Sequence, residues 1–233
     1  MPEAVIVATA RTPIGRAFKG SFAEERADDM AAFIVDTVMN KVPQIDRNTV
    51  DDLILGCGLP GGEQGFNMGR VVAILAGMPD VPGCTITRYC SSSLQSIRMA
   101  AHAVRAGEGD IFVAAGVEAV SRFMVGGSSD HTPGTQNPVF GDAGLRTIAR
   151  AAGDQGDWTP PVGLPDVYIA MGETAENVAE VEGVTREEMD DYAFRSQQRA
   201  GAAIARGFFE REITPYTRKD GTVISADDCP RPQ

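Results

Sequence analysis

The chain has 233 residues, 43% of them hydrophobic and 23% charged, and carries a net charge of −11. That length can bury a sizeable core in one large domain or two small ones. The acidic balance argues against general binding to nucleic acid or to an anionic membrane surface, though not against a local basic pocket for an anionic ligand. Four cysteines (57, 84, 90 and 229) contain no Cys-x-x-Cys pair, and the only histidines are His102 and His131, which argues against a Cys/His zinc site. The opening residues lack a basic n-region, and no stretch nears the ~20 apolar residues of a membrane span. A reducing cytoplasm with free thiols is the expectation.

In chain order, residues 4–8 read as a short strand. Residues 28–39 have helical spacing through Met30, Phe33, Ile34 and Val38. Residues 53–55 form a second β run, and 68–76 a helix stopped by Gly77 and Pro79. A strand is expected at 84–87, a helix from Cys90 to a stop at Gly107, and a strand at 111–115. Strand–helix alternation of this kind implies a parallel sheet with helices on its faces. From 125 to 165 the chain is rich in Gly, Pro, Ser, Thr and Asp and reads as a long loop, either functional or an oligomer contact. Helix returns at 172–181. Another helix begins after Thr185, with Glu188 three residues on as its reciprocal cap, and ends at Gly207. Residues 208–216 read as extended and 227–233 as loop.

Cys90 stands between a strand and a helix, in Thr87-Arg88-Tyr89-Cys90-Ser91-Ser92-Ser93-Leu94-Gln95. A thiol at a helix start meets unpaired backbone N–H groups and the positive end of the helix dipole, a field that favours the nucleophilic thiolate. The competing reading is a small core residue. His102 cannot serve Cys90 as a base, since twelve residues along one helix is about 18 Å. His131 reads as a solvated loop histidine. Glu118, just past a strand end, reads as a structural carboxylate bracing nearby backbone rather than as an acid or base. Gly56-Cys57-Gly58-Leu59-Pro60-Gly61 matches the dinucleotide fingerprint only formally, because Pro60, Gly62 and Gly65 prolong the loop where a helix should open. The acidic run Glu187, Glu188, Asp190, Asp191 reads as a solvated helix face.

Residues 87–97 resemble the nucleophile motif of thiolases, the acetyl-CoA acetyltransferases and 3-ketoacyl-CoA thiolases. Four further stretches resemble the same family in the same order: Ala10-Arg11-Thr12-Pro13-Ile14-Gly15, Gly116-Val117-Glu118-Ala119-Val120-Ser121, Met171-Gly172-Glu173-Thr174-Ala175-Glu176-Asn177-Val178-Ala179, and residues 186–200 with Ser196-Gln197-Gln198-Arg199-Ala200. The resemblance implies an α/β, thiolase-like fold: the first βαβαβαβ half of a layered αβαβα architecture, with an inserted, mainly helical loop domain. Residues 1–120 would be the α/β domain carrying the nucleophile, and 121–233 the CoA-binding loop domain. The family's second half, with its Gly-His-Pro histidine, second cysteine and Asn-Glu oxyanion segment, has no counterpart here, nor has the last strand of the first half.

The same resemblance makes Cys90 the nucleophile of CoA-dependent acyl transfer, working through an acyl-cysteine thioester. It implies no tightly bound cofactor, with coenzyme A as co-substrate. It places Met171 on the pantetheine channel, where a core role is the competing reading, and Arg231, through Asp227-Asp228-x-x-Arg231, beside the adenine. It implies a homodimer or homotetramer, and little activity of this chain alone. Ala170 stands where many members have histidine, Ser93 where glycine is frequent and Thr87 where asparagine is. Two other readings stay open: a non-catalytic acyl-CoA-binding or half-enzyme subunit, and a ketoacyl-synthase-like condensing enzyme, against which the 171–179 and 196–200 segments argue.

Overall fold

The computed structural model describes residues 2–123, 134–153 and 156–231. The chain divides into two compact units, Met1–Ser129 with Ile204–Pro230, and Asp130–Ala203 with Arg231–Gln233. The first unit is built on α1 (Ala27–Asn40), β1 (Asp52–Gly56), α2 (Met68–Leu75), β2 (Gly83–Ile86), α3 (Ser92–Ala106) and β3 (Phe112–Gly116). Its strands form one parallel sheet in the order β2-β1-β3, with Gly56 in register with Ile86 on one side and with Gly116 on the other. All three strands therefore end at the same edge.

The central strand sorts its side chains by alternation, as a pleated strand must. Leu53 and Leu55 are fully buried in one core with Val35 of α1 and Met68 and Val72 of α2. Gly56 turns to the other face, where the backbone of Ser92 at the start of α3 leaves no room for a side chain: an added Cβ would lie 2.5 Å from the Ser92 carbonyl carbon. Gly116 does the same on β3, where a Cβ would lie 1.9 Å from Ser93 Oγ. Ser96, fully buried, donates its hydroxyl to Ala115 O at 3.0 Å and fastens α3 to β3. Small residues at two strand ends thus bring the N-terminus of α3 onto the sheet edge.

A two-stranded antiparallel hairpin, β4 (Tyr216–Thr217) and β5 (Val223–Ile224), completes the first unit. The Tyr216 ring meets Phe22 and Phe33 edge-on, and its hydroxyl donates to the buried Glu25 at 3.1 Å. The second unit contains α4 (Gly141–Ala151), α5 (Met171–Glu182) and most of α6 (Arg186–Ala205). Thr185 and Glu188 cap α6 reciprocally, the Thr185 N–H donating to Glu188 Oε2 at 2.9 Å and the Glu188 N–H to Thr185 Oγ1 at 3.2 Å. Among the described residues no helix is long and apolar enough to cross a membrane.

Four expectations are corrected. Residues 4–8 are not a strand: Val5, Ile6 and Val7 are exposed, and the segment first finds a backbone partner at Arg11, which bridges Ile213. A β run needs a neighbouring edge, and among the described residues none pairs with this one. Helix α3 starts at Ser92, so that Cys90 lies in the 3₁₀ turn Tyr89–Ser91 before it. The stretch 125–165 contains α4, whose helical spacing was hidden by Gly141 and Gly144; residues 124–133, with His131, lie outside the described residues. Residues 208–216 begin with a 3₁₀ turn, Phe208–Arg211, before they extend.

Candidate active site

Three loops leave the shared carboxyl edge of the sheet and meet there. They are 57–59 after β1, 87–91 after β2 and 117–118 after β3. Together with the start of α3 they enclose an open cavity of about 410 Å³, lined by Gly56, Gly58, Leu59, Tyr89, Cys90, Ser92, Ser93, Gly116, Val117, Glu118 and Val120. The chain leaves β1 toward β2 on one side and returns to β3 on the other, so this cavity lies where ligands gather in open α/β sheets.

Cys90 is exposed at this cavity, one turn before the helix whose first N–H groups have no intrahelical partner. The turn before it is tightly made. Arg88 N–H donates to Ser92 Oγ at 2.8 Å, Ser92 Oγ donates to Tyr89 O at 2.6 Å, and Ser91 N–H donates to Arg88 O at 3.0 Å. Tyr89 adopts φ +46°, in the left-handed region. Strained backbone of this kind clusters at functional sites.

The wall opposite is held by two polar side chains. Gln64 is 1% exposed; its Nε2 donates to Leu59 O at 2.9 Å and to Glu118 Oε1 at 2.8 Å, and its Oε1 accepts from Ala119 N–H at 2.6 Å. Glu118 Oε2 accepts from Gly58 N–H at 2.6 Å. The other side of the same residue, Gly58 O, accepts from Thr87 Oγ1 at 3.1 Å. Glu118 therefore braces backbone, as expected, and its oxygens are engaged. Gln64 was missed, because a glutamine in a glycine-rich loop carries no chemical signature. The glycines of the 56–61 motif also find their reason here: Gly56 admits α3, and at Gly58 a Cβ would lie 2.7 Å from Glu118 Oε2. The helix that follows opens only at Met68, so the motif cradles no phosphate at a helix start.

Two other thiols are unsuited to attack. Burial, reinforced by the Glu118 charge, pushes Cys57 up to about 12, and burial also raises Cys84. Cys229 is exposed, beside Asp228. His102 lies exposed on α3. Among the described residues lining the cavity there is no histidine and no lysine. Met171 and Arg231 both fall in the second unit. Met171 opens α5 and is 74% exposed, which removes the core reading. Arg231 is anchored through its backbone, its N–H donating to Gln197 Oε1 at 2.7 Å.

Residues 4–233 match the family model described as "Thiolase, N-terminal domain". The chain is 40% identical to a beta-ketoadipyl-CoA thiolase of Acinetobacter baylyi over 99% of its own length and 57% of the relative's. It is 42% identical to a 3-ketoacyl-CoA thiolase of Bacillus subtilis over 92% and 49%. It is 37% identical to a 3-oxoadipyl-CoA/3-oxo-5,6-dehydrosuberyl-CoA thiolase of Escherichia coli over 100% and 57%. The chain thus spans about half the length of the curated relatives it matches. With a parallel sheet whose carboxyl edge presents Cys90, and a family model matched from residue 4 to residue 233, the chain belongs to the thiolase family.

Proposed function

We propose that this chain carries the nucleophile of a thiolase-type acyltransferase and that Cys90 is that nucleophile. The observation that carries the reading is the position of Cys90: an exposed thiol in the 3₁₀ turn that leads into α3, facing a cavity at the carboxyl edge of a parallel sheet. The Cys90 thiolate attacks C3 of a 3-ketoacyl-CoA. The C2–C3 bond breaks, acetyl-CoA leaves as a carbanion equivalent and takes up a proton, and the acyl group stays on sulfur as a thioester. The thiol of a second CoA then attacks that thioester and regenerates the cysteine. In reverse the same steps condense two acetyl-CoA molecules. Backbone N–H groups at the start of α3 suit an oxyanion developing beside Cys90. Met171 and Arg231 are the proposed CoA contacts, and a homodimer or homotetramer the proposed assembly.

Proton transfer needs a group that the cavity's own lining does not supply, since Glu118 is committed to Gly58 and Gln64. We therefore expect acylation of this chain without efficient turnover, which is also where the half-enzyme reading finds support. Incubation with acetyl-CoA and peptide mass mapping should place acetyl on Cys90 in preference to Cys229. Thiolysis of acetoacetyl-CoA by the same sample should be slow or absent. Equal acetylation of Cys90 and Cys229 would overturn the assignment of the nucleophile, and rapid thiolysis would overturn the need for an outside base.

A further inference from the structure

Tyr89, immediately before Cys90, is held at φ +46°, where the Cβ of an ordinary residue crowds the following carbonyl. Its ring gains little in return, being 67% exposed. Besides the Ser91 N–H bond to Arg88 O and a long one from Tyr89 N–H to Thr87 Oγ1 at 3.5 Å, one buried hydroxyl bonds this turn. Ser92 is 3% exposed, and its Oγ accepts from Arg88 N–H at 2.8 Å while donating to Tyr89 O at 2.6 Å. It thus grips the backbone on both sides of the strained residue. The neighbouring serines have other surroundings: Ser91 ends the 3₁₀ turn, and Ser93 Oγ lies against Gly116.

We infer that Ser92 is a positioning residue for Cys90: its hydroxyl clips Tyr89 into the left-handed conformation and thereby sets where the thiol stands relative to the start of α3. The inference rests on the reading of Cys90 as nucleophile. Without the clip, Tyr89 relaxes toward negative φ, and the peptide that carries Cys90 rotates with it. Glycine reaches positive φ at no steric cost and needs no holding.

The test is a double-mutant cycle on the 233-residue chain: unsubstituted, Ser92→Ala, Tyr89→Gly, and both together. Iodoacetamide labelling, mapped by mass spectrometry, gives the ratio of the Cys90 rate to the Cys229 rate within each sample. S92A removes both neutral hydrogen bonds of the clip and should lower that ratio by about fivefold or more, since even one such bond is worth about that much. The same substitution in the Y89G background should leave it nearly unchanged, an asymmetry that simple destabilisation would not produce. No change on S92A, or an equal fall in both backgrounds, overturns the clip. Should S92A alone fail to fold, the comparison of S92A/Y89G with Y89G decides it: a fivefold fall there overturns the clip.

If Cys90 labels no faster than Cys229 in the unsubstituted chain, the nucleophile reading itself fails. The clip is then judged by melting temperature. S92A should lower Tm less in the unsubstituted background than in Y89G, because breaking the clip releases strain only where Tyr89 stores it. Equal losses overturn it.

Discussion

Glu118 shows how a residue can line the cavity beside Cys90 and still be structural. Its carboxylate accepts Gly58 N–H and the Gln64 amide, and its charge reinforces the burial that pushes Cys57 up to about 12. Glu118→Ala leaves a backbone donor and a buried amide without their acceptor. We expect a loss of about 2–3 kcal/mol in urea unfolding, within the range for hydrogen bonds to a charged partner. The same substitution should lower the Cys57 thiol from about 12. Burial, the larger cause, remains, so Cys57 should label faster than before with iodoacetamide yet stay far slower than Cys229. Unchanged Cys57 labelling would show that Glu118 has no electrostatic hold on it. The bracing role of Glu118 was legible in advance, because a carboxylate just past a strand end has few physical uses; of Cys90, its place beside a helix start was legible. Gln64 and Ser92 were not legible. Amide and hydroxyl side chains occur everywhere, and what distinguishes these two is burial with their partners: Glu118 and Ala119, more than fifty residues away, for Gln64, and the backbone of a strained turn for Ser92.

At the scale of elements, glycines decide where helix and strand can touch. α2 crosses β2 at Gly69, where a Cβ would lie 2.2 Å from Cys84 O, and facing it a Cβ on Gly83 would lie 2.7 Å from the Gly69 carbonyl carbon. Backbone stands on both sides of this contact, and backbone cannot rotate away as a side chain can. Gly69→Ala should therefore cost at least the ~1–3 kcal/mol of an overpacked core. Gly144, inside α4 with open space around it, should respond oppositely, Ala adding up to ~1 kcal/mol through helix propensity. Urea titrations of G69A and G144A that moved in the same direction would refute this division. Helices with a cap and a stop were read closely, as α6 was from Thr185, Glu188 and Gly207. α4 was lost because its two glycines lie in a stretch whose composition reads as loop. The hairpin was lost because each strand has two residues, although Asp220-Gly221 in its turn, with Gly221 at φ +86°, is a turn signal. The run 4–8 failed in the opposite way, because periodicity describes a strand's faces and says nothing about whether an edge is free to receive it.

At the scale of the whole chain, local periodicity cannot see contacts between residues far apart in sequence. The cavity draws its walls from loops that start at residues 57, 87 and 117, and five ordered motifs made that grouping legible only as a family pattern. A longer link lies beyond any such pattern. Asp227 accepts two bonds from the Arg11 guanidinium, at 2.8 and 3.0 Å, and one from Ile14 N–H at 2.8 Å. Asp228 accepts from Ser21 N–H at 2.7 Å, from Ser21 Oγ at 2.8 Å and from Arg16 N–H. Two adjacent carboxylates thus hold the segment from Arg11 to Ser21 against a strand of chain more than two hundred residues away. Burial pushes both carboxyl groups up, but the opposing bonds win: the hydrogen bond and charge of Arg11 with Ile14 N–H at Asp227, and Ser21 with Arg16 at Asp228, hold both below the usual aspartate range. A carboxyl group whose folded pKa is depressed binds protons more readily when unfolded. Its stabilisation is complete above the unfolded value and is lost as pH falls through the folded one. The chain should therefore lose melting temperature steeply from about pH 4 downward. Asp227→Asn with Asp228→Asn should melt lower at neutral pH and lose less on acidification, so that the two Tm profiles converge toward low pH. Both proteins share every other carboxylate, which leaves the difference to these two. Parallel profiles from pH 7 to pH 3 would mean that the clasp contributes nothing that depends on its charge.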